Sequence, residues 1–201
     1  MTNTVGLVLF DEVDLLDVGG PYEVLLTANR LSERQGAPPP FEVLTLAADA
    51  PLRAYGGLGL VAHTTVATAP DLDVLIVPGA IAIDAVTGPV AAAVREVAAR
   101  TPVVSSVCTG AFVLGALGLL DGRRWTTHWE DVDDLAARLE PAASTGATRD
   151  VRVVDDGPVV TAGGLLCGVD LGLHLVGRFA GRDLAIATAR QIDYAWTPTH
   201  D

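Results

Sequence analysis

Four residues stand in contexts that suit covalent chemistry on a small electrophile: Cys108, Asp17, Thr109 and His128. The run Pro102-Val103-Val104-Ser105-Ser106-Val107 ends at Cys108-Thr109-Gly110, and an Ala- and Leu-rich run follows. The first run reads as a buried strand and the second as a helix. A cysteine on so sharp a strand-to-helix turn is pushed out of the sheet, with backbone N–H groups and a helix N-terminus aimed at it. That environment lowers a thiol pKa and supplies a thiolate nucleophile near neutral pH, unless a neighbouring carboxylate opposes the shift. A cysteine that merely packs fits the same apolar surroundings, because free cysteine is among the most buried residue types.

Asp17 lies in Leu15-Leu16-Asp17-Val18-Gly19-Gly20-Pro21, where apolar neighbours tuck it toward the fold. A desolvated carboxylate has a raised pKa and can move a proton or hold a water; a helix N-cap is the alternative. Asp11, Glu12 and Asp14 read as a solvated turn, and Glu23 as an acid favoured by a helix start. Thr109 follows the candidate nucleophile. Its N–H suits an oxyanion site and its hydroxyl a substrate or water, although a plain turn residue would look the same. His128, in Thr126-Thr127-His128-Trp129, can approach the thiol but reads more readily as a structural histidine. Cys167, between glycines, reads as packing, and His63, His174 and His200 have no supporting context.

The elements that must position these groups alternate along the chain. Val5–Phe10 is an apolar run of the kind covered on both faces in a parallel sheet. Pro21–Leu31 reads as a helix with proline in its first position, Phe41–Leu46 as a strand, and Ala54–Leu58 as a tight turn. Asp73–Val77 is a strand ending in Pro78-Gly79-Ala80, and Val90–Ala99 a helix. A helix is expected from about Glu130 to Leu139, and a hairpin around Asp155-Asp156-Gly157. Two closing helices are expected, over Leu165–Phe179 and Arg182–Tyr194. This order predicts one α/β domain over residues 1–201, a doubly wound sandwich with a mainly parallel sheet. Ligands of such folds sit beyond the carboxyl ends of the strands. Cys108, Gly79, Ala80 and the acidic segment that holds Asp17 all fall there.

Composition narrows the function classes. With 201 residues, 50% hydrophobic and 19% charged, the chain can bury a sizeable core. A net charge of −12 argues against a nucleic-acid surface. All 13 basic residues are arginine, which excludes a lysine Schiff base and a Walker-A lysine. Two cysteines make no disulfide framework, and no CxxC or HExxH spacing suggests a metal. The start has no basic n-region. The uncharged stretch Thr101–Leu120 is long enough to span a bilayer, but its Ser, Thr, Cys and Gly fit a buried strand and helix better. A cytoplasmic protein without membrane partner is expected.

Several stretches together resemble the ThiJ/PfpI superfamily, with its flavodoxin-like three-layer fold. They are Val5–Phe10, Leu16–Val24, Val77-Pro78-Gly79, Ser106–Ala111, Thr126–Trp129, Thr161–Gly164 and Asp170–Leu173. The chain looks most like the branch that holds isonitrile hydratases and the sensor domains of AraC-type regulators. The resemblance implies Cys108 as nucleophile, Asp17 as partner acid, and Thr109 and Gly79 in the pocket; Ala80 and His128 are the further candidates for substrate binding. It implies addition of water to an isonitrile, with no metal or organic cofactor, in a homodimer. Aldehyde chemistry of the glyoxalase or deglycase kind, redox sensing and plain ligand sensing are the alternatives. Superfamily peptidases carry histidine directly after the nucleophile; here Thr109 stands there. Pro78-Gly79-Ala80 also departs from the commoner Pro-Gly-Gly, and a Cβ at position 80 narrows the pocket. The regulators carry a DNA-binding domain for which a chain ending at Asp201 leaves no expected room.

Overall fold

The apolar runs pair as a parallel sheet in the computed structural model, which describes residues 2–48 and 52–197; His200 lies outside them. The strands are β1 (Asn3–Leu9), β2 (Phe41–Ala47), β3 (Thr64–Thr65), β4 (Val74–Val77), β5 (Val103–Val107), β6 (Val153–Asp155) and β7 (Val159–Ala162). Their order across the sheet is β3-β2-β1-β4-β5-β7-β6. Every neighbouring pair is parallel except β6 with β7, the hairpin closed at Asp155–Gly157. All residues of β4, β5 and β7 are buried, as strands covered on both faces require.

Helices cover the two faces. On one, α1 (Leu15–Arg34), α6 (Cys167–Ala180) and α7 (Arg182–Gln191) pack on one another. The other carries α2 (Ile83–Arg100), α3 (Gly110–Ala116) and α4 (Val132–Arg138), with the short α5 (Pro141–Ser144) against α4. The result is the doubly wound, three-layer α/β sandwich expected. The uncharged stretch 101–120 divides into β5 and α3. Among the described residues, no helix is long and apolar enough to cross a membrane.

Two helices begin earlier than expected, before Pro21 and before Val90. α1 starts at Leu15, so Pro21 lies inside it. The cap is Asp14, whose side chain accepts the Leu16 N–H at 3.4 Å. α2 likewise starts at Ile83 and takes Pro89 inside. A proline within a helix forgoes one hydrogen bond, and at the buried Pro21 packing against α6 offsets that loss. Glu23 is therefore mid-helix, paired with Arg30 at 3.2 Å, and does not serve a helix start. Asp14 does not behave as part of a solvated turn. Its backbone N–H donates to the Gly79 carbonyl at 2.9 Å, which ties the end of β1 to the end of β4.

Close packing of α1 on α6 fixes where Asp17 sits. A Cβ on Gly172 would lie 2.8 Å from the Val24 Cβ and 3.2 Å from the Pro21 Cα. Neither atom is the far end of a flexible chain, so α1 would have to move. We expect Gly172→Ala to destabilise the protein by about 1–3 kcal/mol despite alanine's better helix propensity. Urea unfolding checks this, and an unchanged or raised midpoint would mean that the helices are not held this close.

Candidate active site

The turn after β5 is strained at the candidate nucleophile. Cys108 has φ 55°, a left-handed conformation that non-glycine residues seldom adopt. Three contacts hold it there. Its N–H donates to the carbonyls of Gly163 at 2.8 Å and Ala162 at 3.1 Å. The Thr127 hydroxyl donates to its carbonyl at 2.8 Å. Thr127 is itself anchored, because the neighbouring Thr126 N–H donates to Thr161 Oγ1 on β7 at 2.8 Å. Two residues on, Gly110 must be glycine, since a Cβ there would run into the Val77 carbonyl.

Asp17, in the first turn of α1, is wholly buried. One carboxylate oxygen, Oδ2, accepts the Gly79 N–H at 2.9 Å, while Oδ1 has no hydrogen-bond partner. Gly79 permits this approach. A Cβ there would stand 2.9 Å from Asp17 Oδ2 and 2.5 Å from Thr109 Oγ1. The Thr109 hydroxyl donates to the Ala80 carbonyl at 2.8 Å and accepts the Ala80 N–H at 2.9 Å. It therefore clamps the loop after β4 and is not free for a substrate. The N–H groups of Gly79 and Ala80 are spent on Asp17 and Thr109.

Burial and proximity set the charges. Desolvation pushes the Asp17 carboxyl up to about 7, partly countered by the Gly79 N–H and reinforced by Asp14. The Cys108 thiol is pushed up to about 12, by burial first and by Asp17 second. Backbone N–H groups of Thr109 and Leu165 favour the thiolate but do not prevail. The lowered thiol pKa expected from the strand–turn–helix pattern is thus reversed. α3 is seven residues long, and the carboxylate beside the sulfur adds to the cost of burying a second negative charge. Near neutral pH the pair holds a thiol.

A cavity of about 230 Å³ opens above the sulfur, lined by Cys108, Thr109, Ala80, His128 and Leu165 among others. This is below the range of about 300–1,000 Å³ usual for drug-sized ligands, and suits a small molecule. Cys108, Thr109, Ala80 and His128 meet there, while Asp17 and Gly79 form the layer behind. His128 is oriented by carboxylates, its Nδ1 3.3 Å from Asp131 Oδ2 and 3.8 Å from Glu130 Oε2. Its other edge lies over Gly164, where a Cβ would stand 2.6 Å from Cδ2. Asp131 stands three residues after His128 on the following 3₁₀ turn, and that spacing is the signal that would have found it. Thr127 and the Leu165 N–H had no sequence signal. Among the described residues, no group of three or more His, Cys, Asp or Glu is placed to hold a metal.

The DJ-1/PfpI family model matches residues 3–178. The chain belongs to this family. It is 36% identical over 208 residues to isonitrile hydratase of Pseudomonas putida, covering 100% of this chain and 82% of that enzyme. It is also 30% identical over 193 residues to the HTH-type transcriptional regulator GbdR of Pseudomonas aeruginosa. That match spans 95% of this chain but 50% of the regulator. Among solved structures, a ThiJ/PfpI family protein from Pseudomonas syringae superposes with a TM-score of 0.80 at 26% identity, covering 100% of this chain and 78% of its own.

A carboxyl whose pKa is raised on folding has a definite pH signature. Between about pH 4, where Asp17 ionises in the unfolded chain, and about pH 7, the folded protein keeps a proton that the unfolded chain has lost. Stability therefore falls as pH rises through that window and levels off above it. The full effect of this residue is about 4 kcal/mol, at about 1.4 kcal/mol per pH unit. Asp17→Asn should remove that dependence. Its melting temperature relative to wild type should rise between pH 5 and pH 8.5, and a constant difference would refute the buried-charge assignment.

Proposed function

We propose that this protein is an isonitrile hydratase, a lyase of the cytoplasm that converts R–N≡C and water into an N-substituted formamide. The observation that carries the proposal is the Asp17–Cys108 pair buried under a small cavity. The full-length similarity to an isonitrile hydratase supports it.

The proton inventory of the pair dictates the mechanism. In the reactive form Cys108 is a thiol and Asp17 a carboxylate. As sulfur attacks the terminal carbon, Asp17 takes the thiol proton and passes it to that carbon, giving the thioimidate R–N=CH–S–Cys108. A water then adds to the same carbon, with its proton relayed through Asp17 to nitrogen. The tetrahedral R–NH–CH(OH)–S–Cys108 collapses by breaking the C–S bond. The hydroxyl proton returns to the sulfur through Asp17, and R–NH–CHO leaves. No separated thiolate is needed, which reconciles a thiol pushed up to about 12 with a nucleophilic role. Thr109 serves as the clamp on the Gly79–Ala80 loop, and its N–H and that of Leu165 face the sulfur where negative charge develops. A homodimer acting on a small-molecule substrate, without nucleic acid or membrane, completes the reading. A single 20.8 kDa species in sedimentation at micromolar concentration would remove the dimer.

The similarity to half of a transcriptional regulator favours one second reading, a ligand-sensing domain in which Cys108 does no turnover. Steady-state formamide production separates the two. Wild type should turn over alkyl or aryl isonitriles, and Cys108→Ser should lose nearly all activity, because a hydroxyl is a far weaker nucleophile. Asp17→Asn should lose roughly 10²–10⁴-fold in kcat while still folding by circular dichroism. Thr109→Val should lose less. In wild type, kcat/KM should rise with pH through about 7 as Asp17 ionises, and this limb should vanish in Asp17→Asn. Inert wild type across several isonitriles would leave the sensing reading in place. A folded Cys108→Ser variant as active as wild type would exclude covalent catalysis.

A further inference from the structure

The walls of the Cys108 cavity carry charge of one sign. Asp14, Glu130 and Asp131 line it, and no arginine does. The one lining group able to turn positive, His128, has its Nδ1 directed at Asp131 and Glu130, so any charge it gains is already faced by carboxylates. The remaining wall is apolar, chiefly Ile81, Ile83 and Leu165. A substrate with a carboxylate or phosphate would meet three acids and no cation.

A second cavity, of about 430 Å³, offers the contrast within the same molecule. It is lined by the other cysteine, Cys167, and by Arg149, Arg152 and Asp150. The arginines are not free: Arg149 pairs with Asp133, and Arg152 bonds Asp170 and Tyr194. The lining itself holds two arginines against one carboxylate, whereas the Cys108 cavity holds three carboxylates and no arginine. The −12 charge of the whole chain acts on both cysteines, so a difference between them reports the local walls.

We infer that the Cys108 cavity admits neutral and cationic electrophiles and rejects anionic ones, which restricts the substrate to isonitriles whose substituent is apolar or carries a basic group. The inference rests on Cys108 as the reacting group, and so on the function proposed above, but its test does not require turnover. Each unit charge about 5–7 Å from a reagent's charge changes a local concentration by roughly threefold in water, and more where solvent is displaced. Several acids acting together should therefore give tenfold effects or larger.

The test uses three methanethiosulfonate reagents that differ only in an ethyl, sulfonatoethyl or trimethylammonioethyl group. Each transfers its thioalkyl group to a cysteine and releases methanesulfinate. Rates are read at Cys108 in Cys167→Ser and at Cys167 in Cys108→Ser. If either variant fails to fold, peptide mass spectrometry of wild type gives both rates. The cationic-to-anionic rate ratio at Cys108 should exceed that at Cys167 by about tenfold or more in low salt. It should shrink in 0.5 M salt, where screening acts within about 4 Å, and should fall severalfold in Glu130→Gln. Equal ratios at the two cysteines would overturn the inference. A parallel series of isonitriles bearing a neutral, trimethylammonium or carboxylate substituent adds a second reading. Turnover of the carboxylate compound with kcat/KM equal to that of the neutral one would also overturn it. Failure of every isonitrile together with a preserved charge ratio would remove the hydration reading and leave the charge selection standing.

Discussion

A carboxyl and a thiol buried side by side can hold one negative charge between them at tolerable cost, but not two. Much of the site is built around that constraint. The Gly79 N–H is given to Asp17, the Thr109 and Leu165 N–H groups to the sulfur, and neither receives a full cation. All thirteen basic residues are arginines, and none of them lines the Cys108 cavity. An arginine against the pair would have settled both charges permanently and removed the proton that the proposed reaction must move. Backbone amides stabilise charge more gently and leave the proton mobile between the two side chains.

Holding that pair requires precision from parts of the chain far apart in sequence. Asp17 arrives on α1, whose start is tied to β4 through the Asp14 N–H and the Gly79 carbonyl. Cys108 arrives on the strained turn after β5 and is gripped from β7 and from Thr127. Thr109 then locks the β4 loop in both directions. The Trp125 indole, fully buried with its N–H on the Ala143 carbonyl at 2.7 Å, fixes the segment that delivers Thr126, Thr127 and His128. These are backbone-centred restraints at the carboxyl edge of a sheet whose central strands are buried on both faces. Such a scaffold places side chains more exactly than a mobile loop would.

The parts of this arrangement legible in the sequence are those governed by local pattern. The runs Val5–Phe10 and Val74–Val77 announce covered parallel strands by their unbroken apolar character, Val103–Val107 by its β-branched valines, and Cys108-Thr109-Gly110 announces the turn. Asp17 stands out because its neighbours are apolar. Local pattern failed where a tertiary contact overrode it. Pro21 looks like a helix start, yet α1 packed on α6 runs through it. Asp14 looks like a solvated turn residue, yet it caps α1 and lines the cavity. The charge state of Cys108 is not legible in the turn for the same reason. The turn alone argues for a thiolate, and only the folded chain brings Asp17 close enough to raise the thiol instead.

The left-handed backbone at Cys108 has a consequence for stereochemistry. Three hydrogen bonds hold the Cys108 backbone, and Asp17 stands in the layer behind it while the cavity opens on the other side. In the proposed reaction, the carbon that bears sulfur, hydroxyl, nitrogen and hydrogen is a stereocentre. Proton and water are both managed by one acid from one direction, so that centre forms with a single handedness. Flattening to the formamide then erases it. The asymmetry stays visible only when the substituent is itself chiral. The two mirror-image isonitriles would then present different groups to Ile81 and Leu165 while meeting the same sulfur, and the rigid turn would make the protein an enantioselective catalyst of a reaction whose product carbon is planar.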